Sequence, residues 1–191
     1  MELLRRGCVV CGAGRVALCA ACLRRTSPPP STRVRDVGPV EALFAYEGHG
    51  ARIVQALKYR DGRRLVGPLA DALAARCDAR PPLVVTWVPT SASRRRHRGF
   101  DQSELLARAV GRRLGARVSP VLRRRPGPAQ TGLDRVARSQ AAGYVATTRP
   151  GAPVVLVDDV CTTGATLRAA TAAVAQAGGD VVTHLVVART P

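Results

Sequence analysis

The sequence predicts an α/β domain with a doubly wound, mostly parallel sheet, preceded by a small cysteine-rich unit. Three observations carry that expectation. From residue 40 onward, short apolar runs alternate with helix-period stretches, the pattern of strands joined by crossover helices. One run, Val154-Val155-Leu156-Val157, is apolar at every position and suits a strand covered on both faces. Four cysteines fall in the first 25 residues, in two Cys-x-x-Cys pairs. A length of 191 residues suits one main domain with a small appendage, and 46% hydrophobic residues are enough for its core.

Residues 1–25 carry Cys8-x-x-Cys11-Gly12 and Cys19-x-x-Cys22. Each pair is a knuckle that presents two thiolates. Together Cys8, Cys11, Cys19 and Cys22 supply the four tetrahedral ligands of a structural zinc ion. Gly12 and Gly14 suit the tight turns this needs. Disulfides fit a cytoplasmic chain poorly, a redox Cys-x-x-Cys does not explain two pairs, and the spacing is not that usual for iron–sulfur clusters. No ligand position is left open, so no zinc catalysis is expected. Residues 26–39 read as a linker, with Ser27-Pro28-Pro29-Pro30-Ser31 in extended polyproline conformation. The main domain is expected over residues 40–191.

That domain opens with a strand at 40–46. A turn at Gly48-His49-Gly50 leads into a helix at 51–59, where Ile53, Val54 and Leu57 share one face. The helix delivers Lys58-Tyr59-Arg60-Asp61-Gly62 at its end. Lys58 and Arg60 beside a glycine suit a diphosphate clamp, and a lysine at a helix C-terminus suits the helix dipole equally well. A helix at 65–77 points Leu69 and Leu73 inward and ends at Cys77, a small buried hydrophobe. A strand at 83–88 is closed by Pro89. Asp101 and Glu104 have capping-box spacing and start a helix at 102–114, which leaves Ser93-Arg94-Arg95-Arg96-His97-Arg98 as a mobile basic loop. A strand at 116–122, the triplet Arg123-Arg124-Arg125 and Gln130-Thr131-Gly132-Leu133 follow. A short helix at 134–142 and a strand at 144–147 come next. After the 154–157 strand, a helix at 167–177 stops at Gly178-Gly179 and a last strand covers 181–188, with His184 as a satisfied sheet residue.

The formal net charge is +17, so phosphates, polyanions and acidic surfaces are the expected partners. Arginine supplies every basic residue except Lys58, and part of the charge is therefore a compositional preference spread over solvated surface. The distribution is uneven. Between residues 90 and 138, thirteen arginines face only Asp101, Glu104 and Asp134, whereas residues 151–188 hold Arg168 against Asp158, Asp159 and Asp180. No apolar run approaches the roughly 18 residues of a membrane span, and no leader-like apolar segment opens the chain. A soluble, cytoplasmic protein is expected. No Walker or dinucleotide fingerprint and no internal repeat occurs.

The stretch that organises the rest is Val154-Val155-Leu156-Val157-Asp158-Asp159-Val160-Cys161-Thr162-Thr163-Gly164-Ala165-Thr166. An apolar strand ends in two acids, and a Thr/Gly loop turns into an Ala-rich helix. Ligands of parallel sheets bind beyond the carboxyl ends of the strands, where this loop falls. Gly164 lets the backbone approach an anion, the hydroxyls of Thr162, Thr163 and Thr166 can donate to it, and the helix start adds N–H groups and a positive dipole end. The acids are wrong for phosphate but right for accepting hydrogen bonds from two vicinal hydroxyls. Phosphate at one end and hydroxyls at the other describe a ribose 5-phosphate. Adjacent acids on a buried strand are costly without such a role.

This segment resembles the PRPP (5-phosphoribosyl 1-diphosphate) motif of type I phosphoribosyltransferases, an apolar strand, two acids, two variable residues and Thr-Thr-Gly-x-Thr. Further pieces extend the likeness to nearly the whole chain: the four-Cys unit, residues 42–46, Leu57-Lys58-Tyr59, Arg98-Gly99-Phe100-Asp101-Gln102, Gln130-Thr131-Gly132-Leu133 and Ala188-Arg189-Thr190. Together they resemble the ComF (competence protein F) family of phosphoribosyltransferase-like proteins. Asp101 stands where that family usually has Asn, Gln140 stands near a usual Asn, and many members carry a further Cys pair. None of these departures touches the phosphate loop.

The resemblance implies a type I phosphoribosyltransferase fold and Mg²⁺-dependent transfer of phosphoribosyl from PRPP to an acceptor that no motif encodes. By it, Asp158 and Asp159 would hold the ribose hydroxyls, and Thr162, Thr163, Gly164, Ala165 and Thr166 the 5-phosphate. Lys58 with Arg94, Arg95, Arg96 and Arg98 would meet the diphosphate, and Cys161, at a variable position, would be a spectator. The family's link to competence implies an alternative, a PRPP-sensing accessory of the DNA-uptake machinery that binds single-stranded DNA without turnover. Phe100 offers that reading one stacking surface, and an aromatic content of 3% weighs against strong single-strand binding. An oligomer is compatible with either reading.

Overall fold

The computed structural model describes residues 7–30, 33–59, 62–125 and 143–191. Arg60, the segment 130–133 and the helix expected at 134–142 lie outside these residues. A short helix α1 (Ala20–Leu23) belongs to the cysteine unit. Strands β1 (Arg33–Val34) and β2 (Gly38–Ala45) then pair antiparallel. Helices α2 (Gly48–Leu57) and α3 (Arg63–Ala74) lead to β3 (Val84–Trp87). Next come α4 (Ala92–Arg98), α5 (Gln102–Leu114), β4 (Arg117–Val118), β5 (Leu122–Arg124) and β6 (Tyr144–Ala146). The chain finishes with β7 (Val154–Cys161), α6 (Ala165–Gln176) and β8 (Val181–Arg189).

Six strands form one sheet in the order β1-β2-β8-β7-β3-β4, parallel throughout except for β1. Strands β5 and β6 make a separate antiparallel pair. The sheet is covered on both faces. Ile53, Val54 and Leu57 of α2, Leu65, Leu69 and Leu73 of α3 and Leu106 and Val110 of α5 pack with Val85, Val155, Val157 and Leu185. On the other side Leu167, Ala170 and Val174 of α6, with Leu122 and Tyr144, pack with Val84, Val154, Leu156 and Val186. Each large aliphatic side chain withdrawn from water here contributes about 1.5–3 kcal/mol. The expected doubly wound α/β architecture with a mostly parallel sheet is what the strand register shows.

The direction of the crossovers matters for function. After β3 the chain moves outward to β4, and after β7 it moves the opposite way to β8. A crevice therefore opens at the carboxyl ends of β3 and β7, the topological switch point where open α/β sheets bind ligands.

Several local expectations are corrected. The basic segment before Gly99 is not a loop but the helix α4. Ser91 caps it by accepting a hydrogen bond from Arg94 N (3.3 Å), arginine is a good helix former, and Gly99 ends it in the left-handed conformation (φ 77°). Strand β7 does not end at the acids but runs through them to Cys161, because neighbouring β8 continues alongside as far as Arg189. The single strand expected at 116–122 is divided between β4 and β5, with Pro120 lying in the break. Helix α2 already begins at Gly48, where a turn was expected, and the stretch read as linker contains β1 and the start of β2. His184 is as expected, fully buried and satisfied at both ring nitrogens by Thr171 Oγ1 (2.8 Å) and Pro39 O (2.9 Å). Among the described residues, no helix is long and apolar enough to cross a membrane.

Candidate functional site

The crevice at the switch point is a cavity of about 290 Å³. Its floor is Asp158, Asp159 and Val160 of β7, and one wall is Val88-Pro89-Thr90, which follows β3. Arg94 and Arg98 of α4, Gln102 and Ser103 from the first turn of α5, Lys58 at the end of α2, Arg124, Tyr144 and Thr166 complete the lining. Four cationic side chains thus surround two carboxyls.

Both acids are held by the start of α5, which is itself fixed from below. Asp101 Oδ1 accepts hydrogen bonds from Ser103 N (3.0 Å) and Glu104 N (3.3 Å), capping α5, and its Oδ2 accepts from Thr90 N (2.9 Å). This is the expected cap, tied in addition to the β3 wall. Ser103 Oγ then donates to Asp158 Oδ1 (2.9 Å), and Gln102 Nε2 donates to Asp159 Oδ2 (2.8 Å). Lys58 Nζ lies 3.2 Å from the same Asp159 oxygen, and Arg98 Nη1 donates to Gln102 Oε1 (3.0 Å). Burial, followed by the charge of Asp159 next door, pushes the Asp158 carboxyl well above the usual range, against the hydrogen bonds from Asp159 N and Ser103. Only 8% of either acid is exposed.

Of the sequence-predicted residues, the cavity brings together Lys58, Asp158, Asp159, Thr166, Arg94 and Arg98. Thr162, Thr163 and Gly164 form the loop between β7 and α6 beside it, Ala165 is the first residue of α6, and none of the four lines the cavity itself. Arg95 and Arg96 are exposed outside it, and Arg95 lies 3.8 Å from Glu104. The loop is buttressed from behind. Gly164 has φ +76°, and a Cβ there would stand 2.5 Å from Val34 Cγ1, so only glycine fits. Arg168 ties the same corner together, donating to Thr163 O (3.2 Å) and Arg35 O (2.7 Å). Cys161 is buried and does not line this cavity.

Sequence reasoning did not assign Gln102, Ser103, Arg124 or Tyr144 to the site, although all of them line it. Gln102 and Ser103 follow a cap that was legible, and the signal was there: polar residues in the first turn of a helix that enters a buried core. Arg124 and Tyr144 come from the β5–β6 pair, where the guanidinium stands 5.7 Å from the tyrosine ring centre and donates to its hydroxyl (3.4 Å). No spacing links two residues on different strands.

The cysteine unit forms a second cluster. The sulfurs of Cys8, Cys11, Cys19 and Cys22 all lie within 4.8 Å of one another, and Cys11 and Cys19 are 3.7 Å apart. A tetrahedron with zinc–sulfur bonds of about 2.3 Å has edges of about 3.8 Å. The donor set therefore fits zinc in number, type and spacing. Burial opposes ionisation of Cys8, but N–H groups of Cys19, Cys11 and Val10 bring its thiol down to about 6. Burial and the neighbouring sulfurs push Cys22 up to about 12. Four thiolates so close need a cation among them. Val9, Val10, Ala17 and Leu18 seat the unit on the core that holds Leu57 and Leu65, and Arg64 donates to Gly7 O (3.0 Å).

No protein-family model matches the chain, and no curated protein does. Among solved structures it is similar to adenine phosphoribosyltransferase from Thermoanaerobacter pseudethanolicus, with 20% identity, a TM-score of 0.42, and 66% of this chain and 68% of that one covered. It is also similar to adenine phosphoribosyltransferase from Rhodothermus marinus, with 22% identity, a TM-score of 0.39 and coverage of 64% and 66%. A third is hypoxanthine phosphoribosyl transferase from Trypanosoma cruzi, with 15% identity, a TM-score of 0.35 and coverage of 72% and 63%.

Proposed function

We propose that the cavity binds PRPP and that the protein is a phosphoribosyltransferase of the ComF kind, acting on an acceptor that no motif of the chain encodes. The observation that carries this reading is the convergence of two buried acids and four cations at the switch point, next to a Thr-Thr-Gly-x-Thr loop. In this reading Asp158 and Asp159 accept hydrogen bonds from the ribose 2- and 3-hydroxyls. Thr162 to Thr166 take the 5-phosphate, with Thr166 the member that reaches the cavity wall. Lys58, Arg94 and Arg98 meet the diphosphate. Arg124 is a fourth cation on the same wall.

In transfer, the bond between ribose C1 and the diphosphate oxygen breaks, with the electron pair leaving on diphosphate, and a bond from the acceptor to C1 forms. The ribose passes through an oxocarbenium-like state. The cations are placed to stabilise the departing charge, and the acids to fix the sugar. Magnesium, carried by the diphosphate, would neutralise part of that charge. The acids here are engaged by Lys58, Gln102 and Ser103, which suits sugar binding better than an all-protein metal cage. Zinc on the four cysteines would have no open ligand position and hence a structural role.

The test is calorimetric titration with magnesium PRPP of the wild type and of the double variant Asp158→Asn/Asp159→Asn. Micromolar binding lost in the variant supports the site, and diphosphate release with candidate acceptors then tests turnover. A folded wild type that shows no binding sinks the reading. The outward arginines Arg95 and Arg96 leave room for the competence-linked alternative, contact with a single-stranded DNA backbone. It predicts binding that weakens steeply with salt and is reduced by neutralising those two residues.

A further inference from the structure

Within the site, Asp159 is gripped from two sides. Lys58 Nζ and Gln102 Nε2 both approach Oδ2, at 3.2 and 2.8 Å, and Oδ1 carries neither contact. Gln102 in turn accepts a hydrogen bond from Arg98 Nη1 at 3.0 Å. Its amide cannot be turned round: a carboxylate only accepts and a guanidinium only donates, so each end has one permitted partner. At 4% exposure, on the first residue of a capped helix, Gln102 has no competing solvent contact of note. The result is a chain of four side chains from α4, α5, β7 and α2.

We propose that Gln102 is a positioning residue that couples the diphosphate half of the site to the ribose half, a role that rests on the PRPP reading above. Lys58 and Arg98 are both cations to which a diphosphate is drawn. When Lys58 turns toward it, Asp159 loses one of its two holders. Gln102 then keeps Oδ2 occupied and Oδ1 directed at the ribose. Because Arg98 anchors the other end of the amide, an anion that orders Arg98 also orders Gln102, and through it Asp159. The coupling is reciprocal: a sugar that fixes Asp159 fixes Arg98 for the diphosphate. Without Gln102, Asp159 has only Lys58 and follows it. Ser103 holds Asp158 in a similar way but, among the described residues, has no cation hydrogen-bonded behind it, so it positions without coupling.

The experiment splits the substrate into its halves. Ribose 5-phosphate is titrated into the full chain with and without saturating magnesium diphosphate. In the wild type, diphosphate tightens ribose 5-phosphate binding about tenfold. In Gln102→Met, ribose 5-phosphate alone binds more weakly, because Asp159 has lost one of its two holders, and the further tightening by diphosphate falls below about twofold. Gln102→Glu, which keeps the shape and the Arg98 contact but sets an acceptor against Asp159, loses the tightening as well. Ser103→Ala weakens both titrations equally and keeps the ratio between them, which a merely structural role for this helix start would not separate. Tightening that persists in both Gln102 variants, or that the wild type lacks while binding both halves, overturns the proposal and leaves the PRPP reading standing. Failure of either half to bind the wild type overturns both.

Discussion

Replacing Asp158 by Asn should stabilise the ligand-free protein at neutral pH and abolish ribose 5-phosphate binding. Asn keeps an oxygen acceptor for Ser103 Oγ and Asp159 N, so the local hydrogen bonds survive. What disappears is the cost of placing a second negative charge beside Asp159 in a buried site. The folded-state pKa of Asp158 lies above its ordinary 3.8, so between those two values the folded protein holds more protons than the unfolded chain. The stability that Asp158 contributes is therefore complete below pH 3.8 and is lost as pH rises through the folded value, at up to about 1.4 kcal/mol per pH unit. Asn has no such slope. The stability of Asp158→Asn relative to the wild type should thus climb by up to about 1.4 kcal/mol per unit above pH 4 and then level off. Each kcal/mol corresponds to about 2–4 °C in Tm for a chain of this size. Urea unfolding of both proteins at pH 5, 6, 7 and 8 reads the slope directly. A variant less stable than the wild type at pH 8, or a difference that does not change with pH, would show that the hydrogen bonds keep Asp158 ionised and that the reasoning is wrong.

Three further outcomes are expected. Lys58→Met leaves Asp159 without the cation 3.2 Å from it and, in the PRPP reading proposed above, the diphosphate without one ligand, so it should weaken PRPP binding tenfold or more, about 1.4 kcal/mol, as read by calorimetry. Removing zinc with a strong chelator should release one ion per chain and lower Tm by several degrees without unfolding β7 or β8, because the cysteine unit covers one side of the core; metal analysis and a thermal melt check it. Burial holds the His184 imidazole below its ordinary 6.5, so its contribution is present above pH 6.5 and lost as pH falls through the lower folded value. His184→Gln should flatten that acid limb in urea unfolding between pH 4 and 7, at the cost of a fitted hydrogen-bond pair to Thr171 and Pro39.

The parts of this molecule legible in its sequence are those written in local pattern. Val154 to Val157 reads as a two-sided strand because both faces of β7 are covered, and Asp101 reads as a cap because capping is an interaction over three residues. What was illegible depends on distance along the chain. Ser103 meets Asp158 across 55 positions and Gln102 meets Asp159 across 57, and no periodicity encodes either. The extent of β7 was hidden for a different reason. Polar residues usually mark the end of a strand, but here the neighbouring strand and the first turn of α5 supply the partners that let two carboxyls remain inside the sheet. Helix α4 was hidden by charge. A run of arginines resembles a solvated loop unless Ser91 and Gly99 are recognised as its two ends.

The packing of Val34 and Val37 behind Gly164 bears on how this chain can be divided. A seam drawn by composition falls after the proline-rich stretch, between residues 39 and 40. The molecule does not come apart there, because the wall against which the Thr-Thr-Gly-x-Thr loop rests is contributed from upstream of the cut. A shortened version beginning at residue 40 would keep every residue of the Thr-Thr-Gly-x-Thr motif and lose the surface that shapes it. Transplanting the motif to another scaffold meets the same constraint: the heritable unit is the loop together with the β-branched Val34 side chain far upstream, and recombination that separates the two yields a correct signature on a loop without its support.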